Sequence, residues 1–245
     1  LLKAILPVAP VLVTLTENQS RGRFDELLRS SGLGGRDVRV LGFRNDNLWT
    51  RDFGPLSVEL PDGRPAFLDF RYPQTRVLDD GMPSALAEAL GVPVFRVPLR
   101  LEGGVVMTNG RGLCVTTTTL AVQNSELAFD VLARQVGRAL GCSQLVFLES
   151  PSEEATGHVD MFAKLTSPDT VLVGAFDPTL SPEEAARMER NARLLEDIPV
   201  GFRRTLRVVR VPMPAPEGIV HPSYTNSLLV NGTAVVPTYG RGAAE

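Results

Sequence analysis

The sequence predicts an α/β fold built by repetition. A unit of helix, strand, polar loop and β-hairpin recurs four times, and the chemically unusual residues fall in equivalent loops after equivalent strands. Units that each bury one face against a neighbour point to radial repetition, as in propeller-like architectures. Identity between the copies is negligible and the helices start at uneven intervals, so the repeat is one of pattern.

In the first copy a helix starts near Arg21, with Phe24, Leu27 and Leu28 as its apolar face and Gly32 as its stop. The strand DVRVLGF follows, then the loop NDNLWTRDFGP, then the strands LSVEL and AFLDF around the turn PDGRP. In the second, Pro83 opens a helix that ends at Gly91; VPVFRV leads through the loop LRLEGG to VVMT and LCVTT, joined by NGRG. In the third, Asn124 or Ser125 caps a helix that Gly141 ends, and QLVFLES leads through SPSEEATGH to VDMFAKL and TVLVGAF. Ser181-Pro182-Glu183-Glu184 reads as a capping box opening the fourth helix. LRVVRV, the loop PMPAPEGIVHPSYTN, and SLLV and TAVVP around the turn Asn231-Gly232 complete it. VLVTL at 11–15 reads as the last strand of a unit whose beginning is missing, and YGRGAAE stops where a further helix is due. The expectation is therefore one domain over 1–245, truncated at both ends, with one unit incomplete.

Composition bounds the function. With 245 residues, 43% hydrophobic and 22% charged, the chain can bury a sizeable core. A net charge of −3 argues against a nucleic-acid partner. No apolar run approaches the ~20 residues that cross a bilayer, so no membrane partner is expected. The apolar start is broken by Pro7 and Pro10, and the missing initial Met implies an upstream N-terminus, which leaves cytoplasmic and secreted locations open. Cys114 and Cys142 set no disulfide framework; each lies in an apolar stretch and reads as a free, buried small hydrophobe. Asn18 and Asn231 match the Asn-X-Ser/Thr pattern, too short a match to carry weight.

The site candidates lie in the repeated loops. Trp49-Thr50-Arg51-Asp52 sets an aromatic, a cation and a carboxylate before a strand: either a grip on a cationic ligand, or an Arg–Asp surface pair with the tryptophan in the core. Glu102-Gly103-Gly104 sets a carboxylate before two glycines that permit close approach. In Gly157-His158-Val159-Asp160, read as strand, His158 and Asp160 share a face. General acid–base work by His158 beside a substrate-holding Asp160 is the leading reading; a metal held by Glu102, His158 and Asp160 is the lesser one, since the chain has two histidines. His221, before a proline, reads as a capping or surface residue. There is no phosphate loop, nucleophile elbow or nucleotide fingerprint.

The order WTRDFGP, EGG, GHVD and YTNSLLVNG with PTYG resembles the family of agmatine deiminases and bacterial (porphyromonas-type) peptidylarginine deiminases, within the guanidino-group-modifying (pentein) superfamily. The match covers essentially the whole chain. The resemblance implies a five-bladed α/β propeller of pseudo-symmetric ββαβ units. It implies that Asp52 and Asp160 hold a substrate guanidinium, that His158 is the general acid/base, that Trp49 lines the pocket and that Asn226 shapes it, with Arg51 and Glu102 among the binding residues. It also implies a cysteine nucleophile in a Gly-rich His-Cys segment beyond the YG motif, which neither Cys114 nor Cys142 matches. No metal or organic cofactor is implied.

The implied activity is hydrolysis of an arginine-like guanidinium to a ureido product and ammonia through a covalent cysteine adduct. The segment LDFRYPQTRVLDDGMP resembles the peptidylarginine branch, where Arg76 matches a carboxylate-binding arginine while Gln74 stands where another is expected. A small-molecule or peptide guanidinium is thus the expected partner, peptidyl-arginine first. Agmatine, giving N-carbamoylputrescine on the way to putrescine, is the alternative; a non-catalytic arginine-ligand binder is the reading if the nucleophile is truly absent. The sequence leaves self-association into a homo-oligomer open.

Overall fold

Strands buried on both faces organise the chain. In a computed structural model, which describes residues 1–16, 21–73, 75–152, 154–214 and 221–240, the chain forms two compact units. Asn18 and Gln74 lie outside the described residues.

The first unit comprises Leu1–Leu99 and Leu229–Val235. It begins with a short helix α1 (Leu2–Ile5), strand β1 (Val11–Leu15), helix α2 (Arg21–Ser30) and strand β2 (Val38–Gly42). Strands β1 and β2 pair in parallel, Val11 opposite Val38, as a helical crossover permits. A single helical turn, α3 (Thr50–Phe53), precedes strands β3 (Leu56–Glu59) and β4 (Pro65–Arg71). Short helices α4 (Val77–Asp80) and α5 (Met82–Leu90) then lead to strand β5 (Val94–Arg100). Strand β4 is the middle strand of the sheet β3-β4-β5. Its residues Ala66, Phe67, Leu68, Asp69 and Phe70 are all buried, as a strand covered on both faces requires.

The second unit comprises Arg100–Leu228 and Val236–Glu245. It runs through β6 (Val106–Thr108), β7 (Leu113–Thr117), α6 (Thr119–Gln123), α7 (Phe129–Leu140), β8 (Gln144–Leu148), β9 (Ala163–Ser167), β10 (Thr170–Ala175) and α8 (Pro182–Glu196). A small hairpin, β11 (Pro199–Gly201) with β12 (Arg204–Thr205), precedes β13 (Arg207–Pro212). Two three-stranded sheets repeat one topology. Strand β7 pairs antiparallel with β6 and parallel with β8; β10 pairs antiparallel with β9 and parallel with β13. The last hairpin, which from Leu229 on belongs to the first unit, joins β14 (Leu228–Val230) to β15 (Thr233–Val235) through Asn231 and Gly232, both at positive φ (46° and 77°), as its Asn-Gly turn predicts.

One apolar cluster holds the second unit together. Val115, Val146 and Leu148 of one sheet, Val171 and Val173 of the other, and Met188, Ala192 and Leu195 of α8 all belong to it. The α8 members recur at helical spacing, so one face of that helix is core. Each Val, Leu or Met side chain among them contributes about 1.5–3 kcal/mol by leaving water. Among the described residues no helix is long and apolar enough to cross a membrane.

Several expectations are corrected. Cys114 and Cys142 are not free: they form a disulfide across 28 positions, with Cα atoms 5.7 Å apart. Strand β7 carries Cys114, and Cys142 lies just before the parallel neighbour β8, so the crossover returns the chain to its own starting strand. Ser181 precedes α8 but makes no side-chain cap bond, and Glu184 instead accepts from the backbone N–H of Ser152 at 3.1 Å. Ala128, not Asn124 or Ser125, occupies the N-cap of α7. Leu27 is 59% exposed, so of the proposed apolar face of α2 only Leu28 is buried. Trp49 is 62% exposed and Phe53 takes the core position in its place.

Candidate active site

The loop before β6 supplies a carboxylate and the loop before β9 an imidazole, and the second unit brings them together. Nε2 of His158 lies 3.0 Å from Oε2 of Glu102, and the imidazole is 5% exposed. A carboxylate oxygen only accepts, so this contact assigns the ring proton to Nε2. The opposite edge of the ring lies against Gly104. A Cβ built there would fall 2.8 Å from Cγ and 2.9 Å from Cε1 of His158, distances that real side chains do not adopt. The second glycine of the EGG motif therefore makes room for the imidazole.

The backbone of each loop is tied down. Gly157 has a φ of +66°, and a Cβ there would meet Cβ of Thr119 at 2.9 Å. Its carbonyl accepts from Oγ1 of Thr117 at 2.6 Å. The N–H of His158 donates to Oε2 of Glu154 at 3.1 Å. The next residues form not a strand but a single 3₁₀ turn, Val159–Met161, with β9 starting at Ala163. The strand alternation invoked for His158 and Asp160 is thus replaced by a turn. Val159 and Phe162, each fully buried, anchor it in the core. Asp160 is 5% exposed, and its carbonyl accepts from Oγ1 of the buried Thr225 at 3.4 Å.

The YTN segment packs on the same turn. Nδ2 of Asn226 lies 3.1 Å from the sulfur of Met161, and its N–H donates to Oγ of Ser223 at 3.0 Å. The N–H of Ser223 in turn donates to the hydroxyl of Tyr239 at 2.9 Å, which links the YTN and PTYG motifs. His221 lies beside this segment and lines a shallow cleft with Glu154, Met161, Phe176, Met213 and Pro222.

Sequence reasoning missed the residues that hold these loops. Asn124, 1% exposed, accepts from the N–H of Arg100 at 2.9 Å and donates to its carbonyl at 2.8 Å. Asn191 of α8, 2% exposed, makes the same two bonds with Glu149, at 3.0 and 2.7 Å. Each asparagine prolongs a strand end by one residue's worth of ladder. The Arg190 guanidinium grips Glu149 with a fork of 2.9 and 2.8 Å and holds its carboxyl below the usual carboxylate range, against a smaller upward push from burial. Only long-range contacts identify these partners, so pattern in the sequence gave no signal for them.

The first unit carries the other sequence candidates. Asp52 lies in α3, which opens from Trp49; Arg51 is exposed, and Arg76 sits exposed at the start of α4. The preceding loop is latched to α4 by a fully buried carboxylate. Oδ1 of Asp79 accepts from the N–H groups of Asp46 (2.7 Å) and Asn47 (3.4 Å), while Oδ2 of Asp46 accepts from the N–H of Leu78 at 3.0 Å. Oδ1 of Asn47 then accepts from the N–H of Trp49 at 2.7 Å.

A buried imidazole on a carboxylate can move protons. Nε2 of His158 and Oε2 of Glu102 are engaged with each other.

The family model for Porphyromonas-type peptidyl-arginine deiminases matches residues 1–245. An agmatine deiminase from Ectopseudomonas mendocina is 25% identical over 280 residues, covering 97% of this chain and 73% of that protein. Among solved structures, the agmatine deiminase of Enterococcus faecalis superposes with a TM-score of 0.79 at 22% identity, covering 97% of this chain and 73% of its own. The C. jejuni agmatine deiminase with substrate bound gives 0.80 at 20% identity, covering 98% and 72%. At these identities the structures establish a shared α/β fold. The chain spans 66% of the length of its Vibrio parahaemolyticus relative, so it is shorter than the proteins it matches.

Proposed function

The chain belongs to the Porphyromonas-type peptidyl-arginine deiminase family, and from that premise we propose that the protein hydrolyses the guanidinium of an arginine-like substrate to a ureido product and ammonia. The single observation that carries the reading is the pairing of the buried His158 with Glu102, with Gly104 cleared against the ring and Asp160 two residues on.

A guanidinium is cationic at any ordinary pH and its central carbon is a poor electrophile. Carboxylates that match its N–H fork fix its orientation. We assign that work to Asp160 and, from its WTRDFGP segment, Asp52. A thiol gives its proton to His158, the resulting thiolate attacks the central carbon, and as the C–N bond breaks His158 passes that proton to the departing nitrogen, so that ammonia leaves. His158 then takes a proton from water, whose oxygen adds to the amidino-thioether carbon; collapse expels the sulfur, which recovers the proton from His158, and the ureido product loses its remaining hydroxyl proton to ammonia. Glu102 holds the ring in the tautomer this cycle needs. In this reading the thiolate is neither Cys114 nor Cys142, a call supported by their bond to each other. From their motifs we also assign Asn226, Trp49, Arg51 and Arg76 to substrate binding.

The same reading takes the repeated sheets as blades of a five-bladed α/β propeller. Its support is the order hairpin, helix, parallel strand, seen in β6-β7-α7-β8 and again in β9-β10-α8-β13. Peptidyl-arginine is the favoured substrate, supported by the family model. Agmatine is the second reading, favoured by the names of the curated relatives. Product analysis of the full-length protein with peptidyl-arginine, free arginine and agmatine decides between them. Ureido product from peptidyl-arginine alone supports the first reading, and from agmatine alone the second. No ureido product from any of the three refutes the enzyme.

A further inference from the structure

The end of α6 presents two consecutive amide side chains to the end of β5 and to the loop after it, which carries Glu102. Asn124 makes both of its bonds to the backbone of Arg100, as described, and its amide also donates to the carbonyl of Leu120 at 2.9 Å. Gln123 reaches the carboxylate itself, with Nε2 3.2 Å from Oε1 of Glu102. The guanidinium of Arg100 closes the loop by donating to the carbonyl of Gln123 at 2.8 Å. Every polar atom of Glu102's side chain is therefore engaged, one oxygen by Gln123 and the other by His158. Its backbone is fixed two residues upstream by Asn124.

We propose that Gln123 and Asn124 are positioning residues that set the Glu102 carboxylate against Nε2 of His158 and so fix the tautomer of that ring. Neither touches the imidazole; both act through Glu102. A buried asparagine with three bonds to backbone is costly to unpair, which explains its nearly complete burial at a helix end where solvent would otherwise suffice. An amide donor on the far oxygen keeps the carboxylate from rotating, since a rotation that freed Oε2 would break the Gln123 bond as well. The consequence for turnover rests on the proposed deiminase reading; the consequence for the imidazole does not.

The test is the imidazole ¹⁵N spectrum of the wild-type protein and of Gln123→Leu, Asn124→Ala and Asn191→Ala. The chain holds two histidines, so His221 serves as an internal reference. In the wild type at neutral pH, Nε2 of His158 should be the protonated nitrogen. In Gln123→Leu and Asn124→Ala its shift should move toward the average of the two tautomers while His221 is unchanged. Asn191→Ala breaks a matched pair of backbone bonds at Glu149 and should leave Nε2 in place. In the full-length protein the two positioning variants should lower kcat on the order of 10²-fold, as misplacement of a catalytic group does, with KM within about twofold. An unchanged Nε2 signal in Gln123→Leu, which removes one part-buried side-chain contact and spares the backbone clamp, overturns the proposal. An Asn191→Ala effect equal to that of Asn124→Ala overturns it too, because general loosening would then suffice. A tautomer change in a protein whose wild type forms no ureido product upholds the positioning role and refutes the deiminase reading.

Discussion

A Cβ on Gly104 would stand 2.8 Å from Cγ of His158, so the smallest side chain possible is what lets the imidazole reach Glu102. Gly104→Ala should push the ring off its partner. We expect turnover to fall on the order of 10²-fold, the lower range of general acid–base contributions, with the melting temperature reduced by a few degrees. Kinetics and thermal melts on one preparation check this. Wild-type turnover in Gly104→Ala would show that the ring has other room.

The Cys114–Cys142 bond closes a loop of 28 residues around α7. Thiol counting on the denatured, unreduced 245-residue chain should find none. Cys142→Ser should lower stability by about 3.5 kcal/mol, the amount expected for a loop of this size. Denaturant melts with and without reductant measure it: wild type should lose stability on reduction and Cys142→Ser should not respond.

Asp79 is fully buried and accepts backbone N–H groups from Asp46 and Asn47, whose side chain in turn accepts from Trp49. Asp79→Ala should release that loop. Trp49 is the chain's one tryptophan, so its fluorescence anisotropy reports the loop directly. A lower anisotropy is expected in Asp79→Ala, with partial recovery in Asp79→Asn, which keeps an acceptor oxygen. Identical anisotropy in all three proteins would mean that Asp79 does not hold the loop.

What the sequence showed and what it hid divide along the range of the interaction. Helix stops at Gly91 and Gly141 were legible because a left-handed residue after an apolar stripe is a local signal, and both have positive φ, 64° and 70°. The Asn231-Gly232 turn was legible for the same reason. The EGG and GHVD loops stood out by residue type, but their pairing did not, because Glu102 and His158 are 56 positions apart. The capping box at Ser181 failed because Glu184 is recruited by Ser152, 32 residues away. The disulfide was missed because two cysteines in apolar stretches look alike whether free or joined. The strand reading of Val159-Asp160-Met161 failed because the turn is fixed by Val159 and Phe162 seated in the core, a contact no local pattern encodes.

The most direct test of the account separates binding from chemistry at two residues of one turn, in the full-length protein. Asp160→Asn keeps the shape and removes a charge, and a hydrogen bond to a charged group contributes about 1.5–3 kcal/mol. Calorimetric affinity for an arginine-like ligand should therefore fall roughly 10- to 150-fold. His158→Ala should bind that ligand nearly as the wild type does, because a neutral imidazole offers a cation little, while ureido-product formation falls about 10²–10⁴-fold. The opposite pattern, with His158→Ala abolishing binding while turnover per bound ligand stays normal, would contradict the assignment of His158 as the acid and base.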